Sequence, residues 1–314
     1  MSQNCNPTRG HICMLTANML WGLMAPISKD TLNYFDEHGI SAFVLVACRV
    51  AGAAVAFWIL SLFVHTQHTT RADKGQLLIA ALLSVIFNQC MFIVGVSYTS
   101  SIDASVITTM LPIITMILAA IVIREPITGL KALGVALGMS GAILLILGNG
   151  QTLSFDRDHI IGDIMCLAAQ ISFAAYLVFF KTLISRLDAV QLMKWMFLWA
   201  TLAIVPFTLP EISKIDFAQI PASIYLEICY TVFVATFLTY LLLPFGQRSL
   251  RPTVVSMYNY VQPVVSTAVS LVWGISTFGV IKGIAIGLVF VGVYTVTQSK
   301  SRQQIENEKN KLKQ

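Results

Sequence analysis

Two charged side chains stand where the sequence is otherwise apolar. Arg49 lies about nine residues into the run 40–64, or ~13 Å along a helix that rises 1.5 Å per residue. Glu227 lies about two helical turns into the run 219–244. A charge at the centre of a membrane helix costs about 2.5–3.5 kcal/mol on insertion scales, so each side chain must face a partner or a polar cavity. The two reach comparable depth from the same side, which permits a charge pair. Glu227 would also suit a proton relay. Two roles stay open for Arg49: orienting helices through carboxylate or carbonyl contacts, or acting on a solute or a gate.

Polar residues recur around them at helical spacing. Ser105, Thr108, Thr109 and Pro112 share one face of an apolar run, and Ser256, Asn259, Tyr260 and Pro263 share one face of another, with Gln262 beside them. Asn18, Asn88, Gln89, Gln170, Thr239 and Tyr240 lie in further runs. Prolines inside membrane helices free backbone carbonyls, which is tolerable beside a polar cavity, so Pro112 and Pro263 are expected as hinges. The candidate solute-binding set is Asn18, Trp21, Arg49, Asn88, Ser105, Thr108, Gln170, Tyr176, Tyr240, Ser256, Asn259 and Gln262. Interhelical hydrogen bonding, worth about 0.6 kcal/mol per pair, is the competing reading of the polar members. The aromatic residues Trp21, Phe92, Phe173, Tyr176, Tyr240, Tyr258 and Tyr260 suit an amphipathic pocket or plain helix packing.

Other chemistries find no support. The six cysteines form no CxxC pair, and the histidines His11, His38, His65, His68 and His159 have no metal-ligand spacing. No GxxxxGK[ST], HExxH or GxSxG occurs, which speaks against nucleotide hydrolysis and common hydrolase reactions. No cofactor, metal or nucleic-acid partner is expected, and the chain does not read as an enzyme. Glu125-Pro126 reads as a helix stop. The first apolar run contains no acid, so a neutral or zwitterionic solute fits better than a cation.

The elements that must position these residues follow from composition. Only 11% of the residues are charged, against about 25% in soluble domains. Such a chain cannot cover a water-facing surface, and lipid must solvate most of it. A helix needs about 20 apolar residues to cross the hydrocarbon core. Spans are expected near 11–28, 40–64, 76–97, 102–123, 130–148, 161–181, 189–209, 219–244, 253–273 and 279–297, followed by a polar tail 299–314. Ten spans put both termini on one side. That side holds fourteen loop lysines and arginines against four opposite, among them Lys29, Arg157 and Lys214. The positive-inside rule then places both ends in the cytoplasm of an inner membrane.

The ten spans read as two sets of five. Gly10 to Asp30 aligns with Gly162 to Thr182 at an offset of 152, which sets Asn18 on Gln170 and Trp21 on Phe173. Ser105 to Pro112 aligns with Ser256 to Pro263, and Asn88 with Thr239, at 151. Gly134-x-x-x-Gly138 aligns with Gly283-x-x-x-Gly287 at 149, and both glycine pairs should let their helices pack closely on neighbours. This pairing also argues against reading the first run, after Arg9, as a cleaved leader. An odd number of spans per half forces the second copy to enter the membrane inverted, as in many secondary transporters. The expected organisation is an all-α membrane protein with an inverted 5+5 repeat, its halves at 1–150 and 151–298.

The residues now quoted resemble the drug/metabolite transporter superfamily in its ten-span EamA branch. The resemblance runs from about Gly10 to Thr297. It is carried by Trp21-Gly22, Arg49, Ser105 to Pro112, Arg124-Glu125-Pro126, Gly134 to Gly141, and the second-half echo from Pro263 to Gly292. One departure is that Ser276 stands where symmetry would repeat Glu125. The resemblance implies an exporter of amino acids or similar small metabolites working by alternating access, with a small solute and the lipid bilayer as partners. A channel, a membrane scaffold or a membrane-embedded enzyme are the alternatives.

Overall fold

The computed structural model of the chain describes residues 7–64, 69–99, 101–147, 157–273 and 279–300. The tail beyond 300, His65, His68, Asp156 and Ser276 lie outside the described residues. Among the described residues the secondary structure is entirely helical. In lipid this follows from backbone chemistry, because a helix satisfies its own N–H and C=O groups where water cannot.

The helices in chain order are α1 (Pro7–Ile27), α2 (Lys29–Glu37), α3 (Ala42–Phe63), α4 (Arg71–Ala81), α5 (Asn88–Tyr98), α6 (Ser101–Thr108), α7 (Leu111–Val122) and α8 (Gly129–Leu147). They continue with α9 (Arg157–Phe179), α10 (Lys181–Arg186), α11 (Ala189–Ile212), α12 (Ala222–Cys229), α13 (Thr239–Ser249), α14 (Pro252–Met257), α15 (Val261–Val272) and α16 (Val280–Thr297). A π-helical segment, Leu82–Phe87, joins α4 to α5, and another, Tyr230–Leu238, joins α12 to α13. A 3-10 turn, Tyr258–Tyr260, separates α14 from α15. Local chemistry sets several starts. Ser41 caps α3 by accepting from the Phe43 amide at 3.2 Å, Thr70 and Asp73 form a capping box on α4, and Pro252 opens α14.

Eight helical stretches among the described residues are long and apolar enough to cross a membrane. Ten were expected. The expected spans 11–28 and 253–273 are helical, as α1 and α14–α15, but neither belongs to the eight. They carry Asn18 and, in the second case, Ser256, Asn259, Tyr260 and Gln262, so their polarity lowers the hydropathy that marks the others. The outward faces agree with lipid: Leu62, Phe63, Phe207 and Val272 are each at least 80% exposed. In water such a surface would be a large unpartnered apolar patch.

Close backbone approach holds the bundle together, since lipid removes most of the hydrophobic drive between helices. α8 packs along α16, and a Cβ placed on Gly292 would lie 2.5 Å from the Gly138 nitrogen and 2.6 Å from the Gly134 carbonyl oxygen. Gly134 and Gly138 of α8 therefore make the expected contact. On α16 the contact falls on Gly292, whereas a Cβ on Gly287 would meet nothing within 4 Å. α1 packs between α13 and α15, and α9 packs against α5 and α7. Helices early and late in the chain thus interleave around one centre.

Candidate functional site

That centre is hollow. A cavity of about 180 Å³ is bounded by Trp21 and Met24 of α1, Arg49 of α3, Asn88, Gln89 and Phe92 of α5, and Thr108 of α6. The other half of the chain supplies Gln170 and Phe173 of α9, Tyr240 of α13, Asn259 of the 3-10 turn and Gln262 of α15.

Each wall is fixed by contacts behind it. Trp21 donates its indole N–H to the Ala235 carbonyl at 2.8 Å and meets the Tyr240 ring edge-on, 5.6 Å between centroids. Ala235 belongs to the π-helical segment, and its carbonyl also accepts from Thr239 Oγ1 at 2.7 Å. Asn88 donates to the Ala169 carbonyl at 3.0 Å, tying α5 to α9. Gln262 donates to Asn18 Oδ1 at 2.9 Å, while Asn18 donates to the Met14 carbonyl at 2.9 Å. Asn18 therefore stands behind the wall and orients Gln262.

Arg49 is 9% exposed. Its Nε donates to Thr236 Oγ1 at 3.0 Å, and Thr236 in turn donates to the carbonyl of Thr231, five residues back in the π-helical segment. Val46, Val50, Val85 and Phe197 close the space behind it. Among the described residues no carboxylate forms an ion pair with Arg49, and the cavity wall contains no acid.

The structure does not bring Arg49 and Glu227 together. Glu227 Oε2 accepts from the Thr31 amide at 2.9 Å and from Thr31 Oγ1 at 2.6 Å. The carboxylate thereby anchors the first turn of α2, and Ser28 and Thr231 form a second link between the same regions at 2.8 Å. Ser105, Tyr176 and Ser256 also stand away from the cavity wall. The Ser105 carbonyl accepts from Thr108 at 2.7 Å, Tyr176 donates to Gln247 at 3.2 Å, and Ser256 donates to the Thr253 carbonyl at 2.9 Å. Pro112 and Pro263 lie just after the helix breaks at 109–110 and 258–260.

Glu125-Pro126, expected as a helix stop, lies just past the end of α7, and Glu125 also forms a buried ion pair. Glu125 Oε1 accepts from Lys131 Nζ at 2.8 Å, its Oε2 accepts from Thr253 at 3.3 Å, and Arg251 lies 3.9 Å away. Acid and base are six residues apart with Pro126 between, a spacing that no helical periodicity picks out.

A polar cavity enclosed by apolar helices defines a multi-pass membrane protein with room for a small solute. The chain belongs to the EamA-like transporter family, whose model matches residues 8–147 and again 160–298. It is thus a membrane transporter of the drug/metabolite superfamily. It is 22% identical over 295 residues to the uncharacterized transporter YyaM of Bacillus subtilis, covering 91% of this chain and 93% of that one. A WAT1-related protein of Arabidopsis thaliana is 27% identical over 169 residues, 51% of this chain and 41% of the relative. A crystal structure superposes with a TM-score of 0.77 at 15% identity, covering 92% of this chain and 96% of that one, which supports the fold.

Proposed function

We propose that the protein is a secondary transporter that exports a small metabolite across the inner membrane by alternating access. In this reading ten spans form an inverted 5+5 repeat with halves at 1–150 and 151–298, and the tail 299–314 and both termini lie in the cytoplasm. The central cavity is the observation that carries it. It is formed jointly by residues from both halves, so a relative movement of the halves changes its access.

Irregular backbone at matched places supports the repeat. One π-helical segment ends immediately before Asn88 and the other immediately before Thr239, the pair that the 151-residue offset equates. Helix breaks also precede Pro112 and Pro263, the two prolines that this offset equates. Interrupted helices beside a midplane cavity are how transporters expose backbone and polar groups to a solute. The pair of prolines would act as hinges, and no bound cofactor or metal is required.

The test is counterflow in proteoliposomes with a panel of small metabolites, with and without a pH gradient. Asn259→Trp, which fills the cavity from its wall, should abolish counterflow while leaving folded protein in the membrane, and Arg49→Ala should do the same. Unchanged counterflow in the Asn259→Trp variant would remove the cavity from the transport path.

A further inference from the structure

Among the described residues that line it, the cavity holds one cation, Arg49, and no acid to neutralise it. Arg49 is committed through Nε to Thr236, and its terminal nitrogens make no hydrogen bond among the described residues. Behind the guanidinium stand Val46, Val50, Val85 and Phe197 with the neutral polar groups of Gln89, Thr236 and Tyr240, in front of it is the cavity, and among the described residues no lining residue is an acid. An arginine fixed in this way presents a planar pair of donors matched to the two oxygens of a carboxylate. A buried charge without a partner is costly, and a ligand that supplies the counter-charge relieves that cost.

The remaining wall limits the rest of the ligand. Trp21, Phe92, Phe173 and Tyr240 supply ring faces and edges, and Asn88, Gln89, Thr108, Gln170, Asn259 and Gln262 supply neutral donors and acceptors. An aromatic body suits the ring walls, and neutral hydrogen-bonding groups suit the rest. The free space of about 180 Å³ lies below the ~300–1,000 Å³ of sites for drug-sized ligands. The ammonium of a zwitterion would enter a site that already contains one cation and offers no carboxylate. We infer that the solute is a small aromatic carboxylate without an ammonium group, held by Arg49 through its carboxylate and by the ring walls through its body. The inference rests on the proposed function only in taking this cavity as the seat of the solute. It narrows the neutral or zwitterionic class expected from sequence to a simple anion.

Three probes that share a benzene ring isolate the charge: phenylacetate, phenylalanine and phenethylamine. Binding to the purified full-length protein in detergent is measured by calorimetry, and transport by counterflow against protein-free vesicles. Phenylacetate should bind about tenfold or more tightly than phenylalanine, and phenethylamine more weakly still. Arg49→Gln should lower phenylacetate affinity by about tenfold or more, with Arg49→Lys between it and the wild type. Equal or tighter binding of phenylalanine or phenethylamine overturns the inference. So does failure of phenylacetate to bind, or wild-type affinity in a folded Arg49→Gln protein. Should that variant not fold, the ranking of the three probes on the wild type decides alone. Transport separates the two readings. Phenylacetate bound with this ranking but not exchanged would sink the transporter mechanism and leave the site. Exchange of phenylalanine at least as good as that of phenylacetate would sink the site assignment and leave the transporter.

Discussion

Tyr260 donates its hydroxyl to the carbonyl oxygen of Thr109 at 3.0 Å, and the two residues are 151 apart in the chain. That separation is the offset that aligns Ser105 to Pro112 with Ser256 to Pro263 in the sequence, and each residue lies three positions before a proline, Pro112 or Pro263. The helix breaks of the two halves therefore touch each other directly beneath the cavity wall formed by Thr108 and Asn259. Tyr260→Phe removes only the hydroxyl and leaves a buried carbonyl without that donor. A stability loss of about 1–3 kcal/mol is expected, read as a lower midpoint of thermal denaturation in detergent. Counterflow should slow with it, because the bond couples the two breaks. A melting point and transport rate equal to the wild type would show that the contact is dispensable.

The breaks also explain how far the site was legible. Arg49, Trp21, Asn88, Thr108, Gln170, Tyr240, Asn259 and Gln262 stand out as polar or amphipathic residues in apolar runs, and all eight line the cavity. Ser256 shares a face with Asn259 only on an uninterrupted α-helix, and the 3-10 turn at 258–260 ends that periodicity. The Ser256 hydroxyl donates instead to the Thr253 carbonyl, while Ser105, on α6 with Thr108, gives that residue its backbone carbonyl. The partner of Arg49 was hidden for a related reason. Thr236 lies in a π-helical segment, where one turn takes more residues than the α-helix assumed in reading faces from sequence. For Glu227, position along a span does not fix azimuth, and its neighbour is Thr31. Hydropathy marks eight of the ten expected spans among the described residues, and the two it leaves unmarked carry cavity residues, Trp21 and Met24 in one and Asn259 and Gln262 in the other.

The α8–α16 contact gives a prediction with an internal control. A methyl group on Gly292 would collide with backbone atoms of Gly134 and Gly138, which cannot yield as a flexible side chain does. Gly292→Ala should cost about 1–3 kcal/mol, the usual range for overpacking. Gly287 is exposed on the same helix and has open space where a Cβ would go. Gly287→Ala should therefore be neutral or slightly stabilising, since alanine favours the helix. Thermal denaturation of both variants in one detergent checks the contrast. Equal effects would mean that this helix pair does not pack through Gly292.

Glu227 separates an anchoring role from a role in charge movement. Its Oε2 accepts two bonds from Thr31, and Arg49 is held by a different residue of the same helical stretch, Thr236. Glu227→Gln keeps an acceptor oxygen for Thr31 and removes the charge. Transport should stay within about threefold of the wild type, the loss expected from weakening a charge-assisted bond to a neutral one. Glu227→Ala, which deletes the acceptor, should reduce it further. The reverse outcome, transport abolished by Glu227→Gln in protein that remains folded, would assign the carboxylate to proton movement.

The last prediction concerns Glu125 and Lys131. Their side chains are 6% and 1% exposed, and the lysine also donates to the Pro126 carbonyl at 2.6 Å. Arg251 lies at the start of α14 and contacts the same carboxylate, while its Nη2 donates to the Ser299 carbonyl at 2.7 Å. One acid thus joins the α7–α8 connection to α14 and to the end of α16. Removing one member of a buried pair strands the other charge, which typically costs about 3–5 kcal/mol, whereas removing both is often close to neutral. Glu125→Gln should therefore be strongly destabilising. Glu125→Gln combined with Lys131→Met should recover most of the loss, with the positive charge of Arg251 left near water. Thermal denaturation of the two single variants and the double variant forms a mutant cycle, and purely additive effects would show that the pair is not coupled. Transport adds a second reading. If the proposed alternating access operates, the double variant should fold yet exchange solute at an altered rate, because the same carboxylate ties residues of the two halves that would then shift against each other.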